Sequence, residues 1–209
     1  MSALAGAIAS GSLPNLVELE LYSNRIGDEG MKAFAAASGS LPSLKTLVLD
    51  KFVIRDGNDT GLDLSARILN DTDMKIIAHL FANGSLGALQ ELYLNYNDFG
   101  DAGMAALAGA IASGSLGKLE FLAVAGNQIG YAGMSAFAGA IASGSLANLE
   151  QMSLFENQIG DAGMIEFSRA IASGSLASLK KRMVLDVEKN LLHYTEAVHY
   201  TEVGLGLGG

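Results

Sequence analysis

Apolar and polar positions along this chain follow two alternating rhythms. In Leu89-Gln-Glu-Leu92-Tyr-Leu94-Asn-Tyr-Asn97 the leucines fall on every second residue around the centre, the period of a short strand with one buried face. The same frame returns from Leu16 to Asn24, Leu119 to Asn127 and Leu149 to Asn157, where Met152 replaces a leucine. Each run leads into Ile-Gly-Asp-Ala-Gly-Met or a variant of it, at Ile26 to Met31, Phe99 to Met104, Ile129 to Met134 and Ile159 to Met164. The rhythm then changes. Met104, Leu107, Ala108 and Ile111 stand at i, i+3, i+4 and i+7, one buried stripe of a helix. The pattern predicts a strand closed by asparagine, a tight glycine turn, a helix N-capped by Asp, and a stop at Ser-Gly. The closing asparagine can bond the backbone of adjacent coils and stack as a ladder.

The unit repeats. The heptapeptide Ala-Ile-Ala-Ser-Gly-Ser-Leu begins at Ala7, Ala110, Ala140 and Ala170, and its Gly-Ser-Leu core recurs at Gly11, Gly39, Gly84, Gly114, Gly144 and Gly174. The spacings are 28, 45, 30, 30 and 30 residues, a range that signals a solenoid whose coils bury their apolar faces only against one another. Met31, Met74, Met104, Met134 and Met164 share one coil position and read as core. With LxxLxLxxN at Leu16, Leu89, Leu119 and Leu149 and the IGDAGM-type lead-in, residues 4–179 resemble leucine-rich repeats of the ribonuclease-inhibitor-like type. That resemblance implies an α/β solenoid with a parallel sheet on the concave side, helices on the convex side, and protein binding as its commonest use. It departs from the pattern in having no cysteine and about five coils, and in opening inside a helix, as a fragment of a longer array or an unusual cap would.

Two coils break the rule. The second runs to 45 residues, with Phe52 where asparagine belongs and some 15 extra residues near 55–69. These are expected in the strand-to-helix loop, at the rim of the concave face, where solenoid insertions often bind partners. Asp56, Asn58, Thr60 and Gly61 match the start of a calcium loop, but Arg67 stands where its bidentate Glu belongs, so a plain hydrophilic loop is expected and no metal is assigned. In the last coil Arg182 falls on a core position. Either the strand slips by one to bury Met183, Leu185 and Val187, or the array stops there. Residues 1–178 are therefore expected to form the solenoid, and 179–209 a degenerate coil or cap with a flexible tail. The tail holds His193 and His199 in a small duplication, read as frayed chain rather than a metal site.

Composition narrows the functions. A formal net charge of −9 disfavours nucleic acid, leaves Lys180-Lys181-Arg182 as the one tight basic cluster, and points towards basic protein partners or solubility alone. The apolar run Met104 to Ala112 is far short of the roughly 20 residues of a membrane span. Absence of cysteine fits a reducing compartment, and with no signal peptide read at Met1-Ser2-Ala3-Leu4 a cytoplasmic location is expected. No phosphate-binding loop, dinucleotide fingerprint or nucleophile elbow occurs, no cofactor is expected, and His79 reads as solvated on the outer helix face.

Strand alternation places Glu91, Tyr93 and Asn95 on the concave face, with Glu18, Glu20, Tyr22, Thr46, Val48, Asp50, Phe121, Ala123, Ala125, Gln151, Ser153 and Phe155 in the same register. Tyr93, Phe121 and Phe155 are thus expected to cluster where the core has no need of them, rimmed by Glu91, Glu120, Glu150 and Glu156. An apolar centre with a charged rim is the anatomy of a protein interface. Tyr22, Asp50 and the insert residues Asp56, Asp59 and Asp63 complete the candidate contacts. The expected function is a non-catalytic protein-binding scaffold. The alternatives are a GTPase-activating protein, by analogy with the Ran activator, and a truncated array with no function of its own.

Overall fold

The computed structural model describes residues 1–55, 57, 59–179 and 182–184. The expectations for Asp56, Asn58, Lys180, Lys181, the histidine duplication and the tail lie outside the described residues.

Outside the second coil, strands and helices alternate as the rhythm predicts. The order is α1 (Ser2–Ala9), β1 (Glu18–Glu20), α2 (Asp28–Ser38), β2 (Thr46–Val48), β3 (Val53–Ile54), β4 (Gly61–Asp63), α3 (Asp71–Ala82), β5 (Glu91–Tyr93), α4 (Asp101–Ala112), β6 (Phe121–Ala123), α5 (Tyr131–Ala142), β7 (Gln151–Ser153), α6 (Gly160–Ala172) and β8 (Arg182–Val184). From β4 to β8 the strands form a parallel sheet in which Leu62, Leu92, Leu122, Met152 and Met183 share one row. Helices pack about 8–10 Å apart and strands about 4.8 Å apart, so stacking the two layers bends the solenoid with its strands on the concave side. Leu92 and Leu122 of the strands, with Leu94, Val124 and Leu154 just past them, share the core with Met104, Leu107, Ile111, Met134, Phe137 and Ile141 of the helices, all at 0 % exposure. β8 pairs Met183 with Met152, the row that the slipped register assigns to it, and half-buried Met183 packs against the core, while Leu185 and Val187 of that expectation lie outside the described residues.

Asparagine and aspartate tie one coil to the next. Asn97 donates to the carbonyls of Leu94 and Leu64, and its Oδ1 accepts from the Arg67 and Leu69 amides, all at 3.0 Å. Asn127 and Asn157 repeat the donor half of this bridge. The aspartate does something the motif did not predict. It is the first residue of its helix and caps the helix of the following coil: Asp71 Oδ1 accepts from the Gly100 and Gly103 amides at 2.8 Å, and Asp101 Oδ1 from Gly130 and Gly133 at 2.7 and 2.8 Å. That is why the motif needs its second glycine. A Cβ on Gly103 or Gly133 would stand 2.8 Å from the capping oxygen.

The second coil is where sequence and structure part. Residues near 55–69 are not an extended rim loop: Gly61–Asp63 is a strand, with Leu62 and Asp63 opposite Leu92 and Tyr93, and the Thr60 carbonyl accepts from the Gln90 and Glu91 amides. The reason lies in Gly-Leu62-Asp-Leu64, a two-leucine half of the strand frame whose leading leucine and closing asparagine are missing. β2 turns back through Asp50-Lys51 into β3, antiparallel to it, so the strands divide into β1-β2-β3 and β4 to β8. Behind the strands the coils stay stacked: Ser85 Oγ and Asn83 Nδ2 donate to the Leu44 and Leu41 carbonyls at 2.8 and 2.9 Å. The front splits while the back remains continuous. Beside the hairpin lie two adjoining clefts of about 110 and 140 Å³, both lined by Ile26, Met31, Lys51 and Asp73.

His79 is not on an outer, solvated face. Half-buried between α2 and α3, its Nδ1 lies 2.6 Å from Ser38 Oγ, and burial lowers its pKa from the ordinary histidine value.

Candidate functional site

The concave face is built by strand alternation. On β5, β6 and β7 one set of side chains fills the core, and the residues between them point away from it. Tyr93 and Phe121 are half-buried there, diagonal neighbours on adjacent strands with ring centroids 4.8 Å apart and planes tilted by 36°. The Tyr93 hydroxyl donates to Glu91 Oε2 at 2.9 Å, and this bond, which the ionised phenol would lose, raises the Tyr93 pKa. Asp63 stands opposite Tyr93 on β4. Its carboxyl is held below the ordinary value chiefly by the Ser65 amide, which donates to Oδ1 at 2.9 Å, with the Ser65 hydroxyl and the Arg67 charge adding to it.

Phe155 does not join this pair. Its ring meets Tyr96 edge to face, at 6.4 Å between centroids and 75° between planes. Tyr96 lies outside the alternation argument because it sits just past the strand, before the closing asparagine. Backbone at that position is left-handed in successive coils: Ser23, Ala66, Tyr96, Gly126 and Glu156 have φ between 54° and 64°. Only Gly126 among them lacks a side chain. A Cβ there would collide with the Tyr96 ring, so the glycine makes the room through which Tyr96 crosses to Phe155. The sequence signal was a glycine in one coil beside a tyrosine in the coil before.

The expected single cluster is therefore two aromatic pairs, Tyr93–Phe121 and Tyr96–Phe155. Ala123 and Ala125, expected to face out between them, are 2 % and 0 % exposed. Small side chains beside four large rings are covered by them, and Asn95 Oδ1 seals the backbone by accepting from the Ala125 amide at 3.0 Å.

The carboxylates divide as well. Glu91 is exposed beside Tyr93, while Glu120, Glu150 and Glu156 are half-buried, the first accepting from Gln90 Nε2 at 3.2 Å. Asp59 is exposed just before β4. Tyr22 and Asp50 are exposed on the β1-β2-β3 sheet, where Asp50 Oδ1 accepts from the Ser23 amide at 2.7 Å. They belong to the other side of the break.

Among the described residues no group of three or more His, Cys, Asp or Glu side chains could hold a metal ion, and no helix is long and apolar enough to cross a membrane. No curated protein matches the chain. Four segments, residues 12–35, 89–108, 118–138 and 145–168, match the family described as Leucine Rich repeat. Each matched segment covers a strand and most of the helix that follows it, and the broken second coil falls between the first two. The unit that the family describes is the unit that the structure stacks, and the chain is a leucine-rich repeat protein.

Proposed function

We propose that this chain is a non-catalytic scaffold that binds a protein partner on its concave face, and that its repeats are of the ribonuclease-inhibitor-like class. The observation that carries the reading is the placement of Tyr93, Phe121, Tyr96 and Phe155 on the solvent side of the strands, half-buried or exposed, while the core is filled from the other side. Rigid aromatic rings provide contact area at low entropic cost and are enriched at interface centres. Glu91, Glu120, Glu150 and Glu156 would form the rim, with Asp59 and Asp63 at the β4 end, and Tyr22 and Asp50 extending contacts onto the neighbouring sheet. The charge of −9 makes a basic partner the better match.

The test is affinity capture from a native cell extract, comparing the natural chain with a Phe121→Glu, Phe155→Glu variant and confirming by circular dichroism that both are folded. A partner retained by the natural chain and lost by the variant is the expected result. Equal capture by a folded variant would overturn the concave-face assignment.

A further inference from the structure

Resting on that reading, we propose that the corner formed by Asp63, Glu91, Tyr93 and Phe121 receives an arginine side chain from an extended basic segment of the partner.

The corner combines three features. First, two aromatic rings lie tilted against each other on the concave face, where a ring face attracts a cation. Second, two carboxylates flank them, and both are already positioned: Glu91 by the Tyr93 hydroxyl at 2.9 Å, Asp63 by the Ser65 amide at 2.9 Å. Groups held before binding lose less freedom when the ligand arrives. Third, Gly61 occupies the row position that Glu91, Phe121 and Gln151 take on the next strands. With no side chain it leaves bare backbone beside Glu91, whose Oε2 is only 3.9 Å from where a Cβ would sit. Gly61 is exposed, and among the described residues β4 pairs with β5 but not with β3.

Charge and shape together select the ligand. A guanidinium is planar, stacks on a ring and donates in a fork to a carboxylate, whereas an ammonium is a compact and strongly hydrated charge. Tyr93 already donates to one Glu91 oxygen, leaving the other Glu91 oxygen and the outer lone pairs of Asp63 as acceptors. Arg67 already favours the ionised form of Asp63, so the cation that this corner attracts has a competitor within the chain.

The experiment uses the whole chain and three acetylated, amidated peptides, Gly-Ser-Arg-Ser-Gly and its lysine and citrulline counterparts. The Tyr93 and Phe121 ring resonances are followed by NMR. The arginine peptide should shift both rings. It should bind about three- to fivefold more tightly than the citrulline peptide, with lysine between them. Glu91→Gln and Phe121→Leu should each weaken arginine binding about three- to fivefold, whereas Glu18→Gln, on the other sheet, should leave it unchanged. Equal binding of arginine and citrulline, or an equal loss from Glu18→Gln and Glu91→Gln, would overturn the proposal. If partner capture still depends on Phe121 and Phe155 in that case, the scaffold reading survives and only its arginine anchor falls.

Discussion

Replacing Asp101 by alanine tests the idea that each coil caps the helix of the next. One oxygen of Asp101 accepts from Gly130 at 2.7 Å and from Gly133 at 2.8 Å, the N-cap and N3 amides of α5. Gly130 has no side chain to cap its own helix, so the carboxylate from α4 does that work. Losing an N-cap costs about 0.5–2 kcal/mol, and leaving a buried amide such as that of Gly133 without a partner costs about 1–3 kcal/mol. The two bonds share one acceptor on a half-buried side chain, so the terms overlap and a loss of about 2–3 kcal/mol is expected. For a chain of this size that lowers Tm by about 5–10 °C.

Thermal and urea unfolding of Asp101→Ala, followed by circular dichroism, gives the global figure. Hydrogen exchange at Gly130 and Gly133 gives the local one, which matters because repeat arrays can open coil by coil. Asp101→Asn keeps an acceptor oxygen and loses the charge, so it should retain about half of the stability that alanine forfeits. Asp98→Ala, at an exposed position three residues earlier, is the control. If Asp101→Ala falls within about 0.5 kcal/mol of that control, the usual range of a surface substitution, the cross-coil cap contributes nothing and the explanation of the glycine-aspartate motif fails.

The same logic runs in reverse at Tyr131, which stands where Asp71 and Asp101 stand in the preceding coils and cannot supply α6 with the carboxylate that they supply to α4 and α5; Tyr131→Asp should raise stability by about 1 kcal/mol in urea unfolding. Gly126→Ala should separate Tyr96 from Phe155 and strain a backbone at φ 64°, lowering stability by about 1 kcal/mol and shifting the ring resonances of both residues while those of Tyr93 and Phe121 stay in place. Burial lowers the His79 pKa from 6.5, so the unfolded chain binds this proton more readily than the folded one. The contribution of His79 is fully present above about pH 6.5 and is lost as pH falls through the folded pKa; His79→Gln should flatten that part of the pH-stability curve.

The regular coils were legible because each constraint acts on neighbouring residues. Period-2 leucines, a closing asparagine and a glycine turn specify a strand, its end and its exit, and residues 89–172 follow them element by element. What escaped is set between coils. Asp101 looks like the cap of its own helix until stacking brings Gly130 and Gly133 to it from 29 and 32 residues away. β4 escaped because Leu62 and Leu64 carry only half of the frame. Of the candidate site, the outward placement of Tyr93, Phe121 and Phe155 was legible from alternation, and the Tyr93–Phe121 contact followed from it. Tyr96 was not, since beyond the strand a left-handed residue aims its ring by the turn and not by the period.

The broken coil shows what the cross-coil cap is for. Asp28 stands on α2 where Asp71 and Asp101 stand on later helices, yet α3 is capped from within. Asn70 Oδ1 accepts from the Thr72 and Asp73 amides, and Asp73 Oδ2 accepts from the Asn70 amide at 3.0 Å, which satisfies both of the amides that a neighbouring aspartate would have taken. A self-capping box is what a helix needs once the preceding coil is no longer in register with it. Asp73, 2 % exposed, then requires a counter-charge, and Lys51 from the turn between β2 and β3 supplies it at 2.7 Å while also donating to the Ile68 carbonyl at 3.1 Å. The hairpin that splits the sheet is thus fastened to the helix that takes no cap from α2. The front of the solenoid is divided between β3 and β4 while its back stays stacked, and exposed Gly61 and the carboxylates beside it lie at that division.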